Sequence, residues 1–346
     1  MLLESKLFPT GRNFVSLDIL LAHFYCAGER RECCHIESER DIKMTILLSG
    51  ASGMLGTAIG SALKQDGISL LKLVRHEARG PDELHWNPVS VDTHGNALEI
   101  DRLEGIHAAV HLSGANVAAR RWTDAYKREM TESRIGTTKA LARALAELKT
   151  PPQVLVTASA IGYYGDRADE ILDENSKVGT GFFSELCANW EKATRSAEDA
   201  GIRVVHLRFG MVIARNGGAM ARLAPLFRLG FGGRLGNGRQ WISWVSEADV
   251  VSATLFVLRN PTLSGPVNVV APEPLTNAEF TRQLGRAVHR PALLPAPAFA
   301  LRLALGQMAD EALLASTRVL PKRLLDAGFS FALPTLPEAL AAALAK

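Results

Sequence analysis

The chain has 346 residues, 47% of them hydrophobic and 22% charged, and a formal net charge of +3. This describes a soluble protein of one large or two smaller domains; the basic residues are interspersed with acidic ones and form no block, which excludes an electrostatic nucleic-acid surface. No apolar stretch approaches the roughly 20 residues that a membrane span requires, so the expectation is a soluble, cytoplasmic protein with a small-molecule partner, no nucleic acid and no membrane.

Residues 1–43 show no sustained helical or strand periodicity. They read as a disordered or non-native extension, with Met44 as the alternative start directly before the first strand. Three of the four cysteines, Cys26, Cys33 and Cys34, fall there and only Cys187 lies in the body. No disulfide framework emerges, and Cys33-Cys34-His35 has no further ligands at usable spacing, so no metal site is expected.

From Met44 onward apolar runs alternate with helical patterns, the signature of a doubly wound parallel sheet, an α/β fold. Residues 45–48 predict the first strand, which breaks into Gly50-Ala51-Ser52-Gly53-Met54-Leu55-Gly56 and runs on into a helix ended by Gln65-Asp66-Gly67. Gly50 allows a sharp turn off the strand, Gly53 a close approach of backbone to a pyrophosphate, and Gly56 close packing of helix on sheet. The helix start then offers free N–H groups to an anion. The spacing is G-x-x-G-x-x-G, not the G-x-G-x-x-G of the dehydrogenase fingerprint, and the strand and helix on either side supply the confirming context. Gly50, Ser52, Gly53, Met54, Leu55 and Gly56 form the candidate phosphate cradle.

Residues 68–74 predict a second strand. It ends at Arg75, about 20 residues past the last glycine, where an NAD-binding protein carries an acidic residue for the ribose hydroxyls. A guanidinium pairs bidentately with phosphate, so Arg75, with Arg79 nearby, points to the 2′-phosphate of NADP. Further strands are expected at 108–112, 153–157, 203–209 and 267–270, several of them apolar without alternation, as for strands buried on both faces. One long helix is expected over 123–148, capped by Thr123, and another over 183–200, ended by Gly201.

After Phe209 the composition changes. Gly217-Gly218, Gly230, Gly232-Gly233, Gly236 and Gly238 crowd a segment that reads as a ligand-lining loop over 215–245. Within it Trp241 and Trp244 are candidates for stacking on a flat or sugar-like substrate, or for burial at a domain junction. Thr276-Asn277-Ala278-Glu279 and Thr335-Leu336-Pro337-Glu338 have capping-box spacing before helical patterns. The expected division is a dinucleotide-binding domain over 44–271 and a smaller, mainly helical substrate lobe over 272–346.

Taken together these residues resemble the extended short-chain dehydrogenase/reductase superfamily from about Met44 to the C-terminus. The closer likeness is to its atypical epimerase branch, family 39U. It is carried by Leu112-Ser113-Gly114-Ala115-Asn116-Val117 with Arg121-Trp122, by Ser133-Arg134-Ile135-Gly136-Thr137-Thr138, by Gly162-Tyr163-Tyr164-Gly165 and by Gly217-Gly218-Ala219-Met220. The segment 321–331, with its Ala327-Gly328-Phe329 turn, is similar to the branch's C-terminal domain. The resemblance implies a Rossmann-like domain binding NADP, with Leu112, Ser113 and Gly114 beside the adenosine and ribose, and with Glu129 and Arg134 reaching the cofactor. On a regular helix those two positions point roughly 140° apart, so only long side chains would converge. Relatives are commonly homodimers, although no self-complementary patch is legible here. Asp249 resembles a position that orders the junction after the second tryptophan; a carboxylate at a helix N-terminus is the alternative reading.

Superfamily catalysis relies on a Ser or Thr after the strand at 153–157 and on Tyr-x-x-x-Lys on the next helix, the lysine lowering the tyrosine pKa. Ser159 fits the first role. Anchored on Glu191, the tyrosine position falls at Phe183 and the lysine position at Cys187, and neither supplies the chemistry. An oxidoreductase or epimerase acting on a small carbonyl, hydroxyl or sugar-like substrate would need a relocated acid, for which Tyr163 and Tyr164 are the candidates. The alternative is a non-catalytic NADP-binding sensor or partner-binding protein; a fold kept without any nucleotide would leave the three glycines and Arg75 with no common purpose.

Overall fold

The apolar runs become parallel strands whose side chains divide by parity between two buried faces. The computed structural model describes residues 44–88, 99–215 and 217–345; the expectation for 1–43 lies outside the described residues. The first half gives β1 (Thr45–Ser49), α1 (Met54–Gln65), β2 (Ser69–Val74), β3 (Glu83–His85), β4 (Ala108–His111), α2 (Asp124–Thr131), α3 (Thr137–Ala146), β5 (Val154–Ala160) and β6 (Ile171–Leu172). The second gives α4 (Phe182–Lys192), α5 (Arg195–Asp199), β7 (Arg203–Phe209), β8 (Met211–Ile213), α6 (Met220–Arg228), β9 (Trp241–Ile242), β10 (Trp244–Ser246), α7 (Glu247–Arg259) and β11 (Gly265–Val269). Beyond these come β12 (Leu275–Thr276), α8 (Asn277–Ala287), α9 (Ala298–Leu305), β13 (Arg318–Val319), α10 (Lys322–Asp326) and α11 (Leu336–Leu344).

Seven strands form one sheet in the order β11-β7-β5-β4-β1-β2-β3, every pair parallel. This is a Rossmann-like doubly wound α/β fold. Ile46, Leu48, Val154, Val156, Val205 and Leu207 point to one face, where Ile59 and Leu63 of α1 and Val250 and Val257 of α7 cover them. Leu47, Leu155 and Val204 point to the other, beneath Leu141 and Leu145 of α3 and Ala197 of α5. Each fully buried Leu or Ile contributes roughly 2–3 kcal/mol by leaving water. The chain reverses direction across the sheet between β1 and β4, and the crevice at their carboxyl ends is where such folds bind ligands.

Two expected helices differ in detail. The 123–148 pattern forms α2 and α3, joined by a π-turn at Glu132–Gly136 that inserts one residue into the winding. The 183–200 pattern breaks at Ala193-Thr194, where Thr194 is fully buried and its hydroxyl donates to the Glu191 carbonyl at 2.8 Å. Thr335 and Glu338 form the complete capping box, whereas Thr276 caps α8 but Glu279 turns to Arg282 and Gln283 instead.

The residues after 272 are mainly helical, and they do not stand apart from the rest. Phe280 and Leu284 of α8 and Leu340 of α11 share a core with Trp244, Met220 and Phe227, while Leu324 and Phe329 return to the core beneath the sheet. No helix among the described residues is long and apolar enough to cross a membrane.

Candidate functional site

Gly50 follows β1 with φ +69°, a conformation favoured only by glycine, and a Cβ there would stand 2.9 Å from the Leu112 carbonyl carbon. A Cβ at Gly56 would stand 2.1 Å from the Gly50 oxygen, so the turn and the helix close on each other only without side chains. Gly53 caps α1 with no side-chain acceptor and no acidic residue in the first turn. The first N–H groups of α1 therefore face outward, beside exposed Ser52 and Gly53, as a cradle suited to a pyrophosphate. Leu55 instead packs on the core beneath the loop. Half-buried Met54 meets the glycine-rich segment: a Cβ at Gly217 would lie 2.4 Å from its sulfur. Arg75 stands exposed just past the end of β2, next to β1, with no ion pair among the described residues.

On the other side of the crevice, Leu112, Ser113 and Gly114 leave β4. The hydroxyl of half-buried Ser113 donates to Ser49 Oγ at 3.1 Å, and Gly114 is exposed. Behind Gly114 lies Arg134, delivered by the π-turn and 7% exposed. Its guanidinium donates to the carbonyls of Ala115 at 2.7 Å and Met130 at 3.2 Å and lies over the Trp190 ring, while Nε finds no acceptor. Burial pulls its pKa down, the mark of a buried cation lacking a carboxylate. Glu129 does not join it; that carboxylate is half exposed and pairs with Arg120.

The candidate catalytic residues take a different arrangement from the expected one. Ser159, 3% exposed, donates its proton to Glu191 Oε1 at 2.7 Å. Glu191 is held by Arg208, whose Nη1 donates to the Tyr164 hydroxyl at 2.9 Å, and Tyr164 donates to Asn268 Oδ1 at 2.7 Å. The Asn268 amide ends this chain of bonds on the Leu320 carbonyl at 3.0 Å. Tyr164 is fully buried, and burial is the largest cause pushing its phenol up to about 12. The hydroxyl of Tyr164, a candidate for the relocated acid, thus has a donor in Arg208 and an acceptor in Asn268. The Ser159 hydroxyl, the other candidate, is engaged by Glu191. Tyr163 remains half-buried, its ring 3.5 Å from the Arg208 guanidinium carbon.

Phe183 and Cys187 occupy the first two turns of α4. Phe183 meets Trp122 edge to face at 5.5 Å within a cluster that includes Tyr126, Met130, Leu186 and Met308. Burial pushes the Cys187 thiol up to about 12, so no thiolate forms near neutrality. From the C-terminal segment, Glu311 reaches back and accepts the backbone N–H groups of Phe182 at 3.3 Å and Phe183 at 2.7 Å, where α4 starts. The start of this helix is thus lined by aromatic packing, with no Tyr or Lys at positions 183 and 187.

Trp244 is fully buried and its Nε1 donates to the Glu273 carbonyl at 3.1 Å, so it is core and not a stacking surface. Trp241 is half-buried, donates to Asp169 at 2.8 Å and has the Arg318 guanidinium over its ring. Ser246 caps α7 by accepting the Asp249 backbone N–H at 2.9 Å, and the Asp249 carboxylate, in the first turn, accepts from the Ser246 hydroxyl at 2.7 Å and receives the backbone N–H groups of Ala332 at 2.6 Å and Leu333 at 3.1 Å. These contacts tie the C-terminal segment to the start of α7. Among the described residues no group of His, Cys, Asp or Glu is arranged to hold a metal.

Sequence reasoning passed over His111, Thr137 and Arg208. The available signal was polar residues inside strands buried on both faces: His111 closes an otherwise apolar Ala108–His111, and Arg208 interrupts Arg203–Phe209.

Residues 46–270 match the NAD dependent epimerase/dehydratase family, and residues 296–343 match a Domain of unknown function (DUF1731). An epimerase family protein of Mycobacterium leprae is 44% identical over 86% of this chain and 95% of its own length. Epimerase family protein SDR39U1 of Bos taurus is 36% identical over 86% of this chain and 98% of its own. The crystal structure of human epimerase family protein SDR39U1 (isoform 2) with NADPH superposes with a TM-score of 0.78 at 32% identity, covering 87% of this chain and 99% of that one.

Proposed function

The chain belongs to the NAD dependent epimerase/dehydratase family, and from that premise we propose that it binds NADP(H) and works as an oxidoreductase or epimerase on a small carbonyl, hydroxyl or sugar-like substrate. The observation that carries the reading is the side-chain-free loop of Gly50, Gly53 and Gly56 at the β1/β4 crevice, followed at the end of β2 by Arg75 in place of an acid. The α1 N-terminus holds the pyrophosphate, and Arg75 pairs with the 2′-phosphate. The human relative solved with NADPH supports this choice of cofactor. When bound, the nicotinamide supplies hydride exchange with a carbinol or carbonyl carbon. Proton transfer then falls to Tyr163, since Ser159 and Tyr164 are committed to Glu191, Arg208 and Asn268.

A second reading, a non-catalytic NADP sensor, is favoured by Phe183 and Cys187 standing where the acid and its cation belong. Calorimetric titration of the full chain with NADPH and with NADH tests the shared premise. A preference for NADPH that Arg75→Glu abolishes supports it, and no binding of either overturns it. NADPH oxidation across a panel of carbonyl compounds then separates the two readings, because only the enzyme consumes cofactor in proportion to substrate. Cytoplasmic residence and a homodimeric assembly complete the proposal, the latter open to light scattering.

A further inference from the structure

Beneath half-buried Ser113 runs a buried line of three polar side chains, Ser49, His111 and Thr137, drawn from β1, β4 and α3. Ser113 Oγ lies 3.1 Å from Ser49 Oγ, Ser49 Oγ lies 2.6 Å from His111 Nδ1, and His111 Nε2 lies 3.3 Å from Thr137 Oγ1. His111 is fully buried and Ser49 is 1% exposed, so no solvent competes for the two inner bonds.

The direction of every proton in this line follows from its inner end. Thr137 has one hydroxyl proton, and its best acceptor is the Ser133 carbonyl at 2.8 Å, with the Arg134 carbonyl at 3.1 Å as the next. Carbonyls only accept, so the Thr137 proton points to the helix backbone and its oxygen receives one from His111 Nε2. A neutral imidazole carrying its proton on Nε2 has an acceptor at Nδ1, which takes the Ser49 proton. Ser49 Oγ also accepts the Leu112 N–H at 3.2 Å, leaving one lone pair, which Ser113 fills as a donor. The imidazole stays neutral near physiological pH because burial pulls its pKa down to about 4.

We propose that His111 is a positioning residue that sets the polarity of Ser113, so that Ser113 Oγ presents only lone pairs to the crevice and accepts a hydrogen bond from a ribose hydroxyl of the bound dinucleotide. A phosphate oxygen, which itself only accepts, is turned away from this position, and the site reads sugar at β4 while it reads phosphate at α1. The inference rests on the NADP(H) reading for its ligand, while the tautomer it requires is a property of the free protein.

Two measurements test it. In the first, nitrogen chemical shifts of the free protein, with the His111 signal assigned by its loss in His111→Gln, report the tautomer. The Nε2–H form is expected, and the Nδ1–H form overturns the proposal whether or not NADPH binds. In the second, NADPH affinity is compared for the wild type, Ser113→Ala, Thr137→Val and the double variant, with thermal unfolding confirming that each is folded. Ser113→Ala and Thr137→Val are each expected to weaken binding by about 3- to 10-fold, one neutral hydrogen bond, and the double variant no further. Affinity unchanged in Thr137→Val, or an effect that persists in full without the Ser113 hydroxyl, overturns it. A wild type that binds neither NADPH nor NADH removes the cofactor reading instead, and leaves the tautomer to the first measurement.

Discussion

Arg208 grips Glu191 through two parallel hydrogen bonds, Nε to Oε1 at 2.8 Å and Nη2 to Oε2 at 2.7 Å, with side chains only 3% and 11% exposed. The pair locks α4 to β7 and commits the Ser159 proton at the same time. Removing one member leaves the other as a buried, unpaired charge. Arg208→Met is therefore expected to lower stability by about 3–5 kcal/mol. Denaturant unfolding measures this, and a loss below about 1 kcal/mol would show that water reaches Glu191 freely.

Tyr164 lies between Arg208 and Asn268, so its hydroxyl is expected to matter to folding rather than to proton transfer. Tyr164→Phe strips a partner from two buried groups and is expected to cost about 1–3 kcal/mol. Once a substrate is in hand, its turnover should match the wild type while Tyr163→Phe slows. Equal slowing of both variants would return Tyr164 to the catalytic role.

At Gly56 the argument is purely steric. With the Gly50 oxygen 2.1 Å from where a Cβ would sit, Gly56→Ala must push α1 off the loop. The expected result is loss of NADPH binding by about 100-fold or more, since several N–H contacts to the pyrophosphate go together. Titration of a variant that retains wild-type circular dichroism decides it, and near-normal affinity would mean that the pyrophosphate sits elsewhere.

What was legible in the sequence follows from how local each cause is. The strands, the glycine loop and Arg75 were readable because apolar runs and a turn that only glycine accepts are written in neighbouring residues. The π-turn at Glu132–Gly136 was not, because its residues fit an ordinary helix and the extra one is justified by where Arg134 lands, against Ala115 and Trp190. The burial of Tyr164 was hidden for a related reason. A strand-end Gly-Tyr-Tyr-Gly looks open to ligand until Arg208 and Asn268, from strands far along the chain, close over Tyr164. Trp244 shows the same limit: its partners Phe280 and Leu340 come from helices that the sequence assigned to a separate lobe.

His111 gives the chain a specific acid sensitivity. Its pKa in the folded protein is about 4, against an ordinary 6.5, with burial as the cause. Between those values the unfolded chain takes up a proton that the native imidazole refuses, so the unfolded state binds more protons and stability rises with pH. The contribution is complete above the ordinary value and is lost as pH falls toward the folded one. The steepest slope is about 1.4 kcal/mol per pH unit, and the whole window amounts to about 3 kcal/mol. His111→Gln cannot titrate there. Measured by denaturant unfolding, the stability difference between wild type and variant is expected to shrink by that amount from about pH 7 to about pH 4. A constant difference would mean that the imidazole is protonated in place, and with it the fixed polarity of Ser49 and Ser113 would be lost.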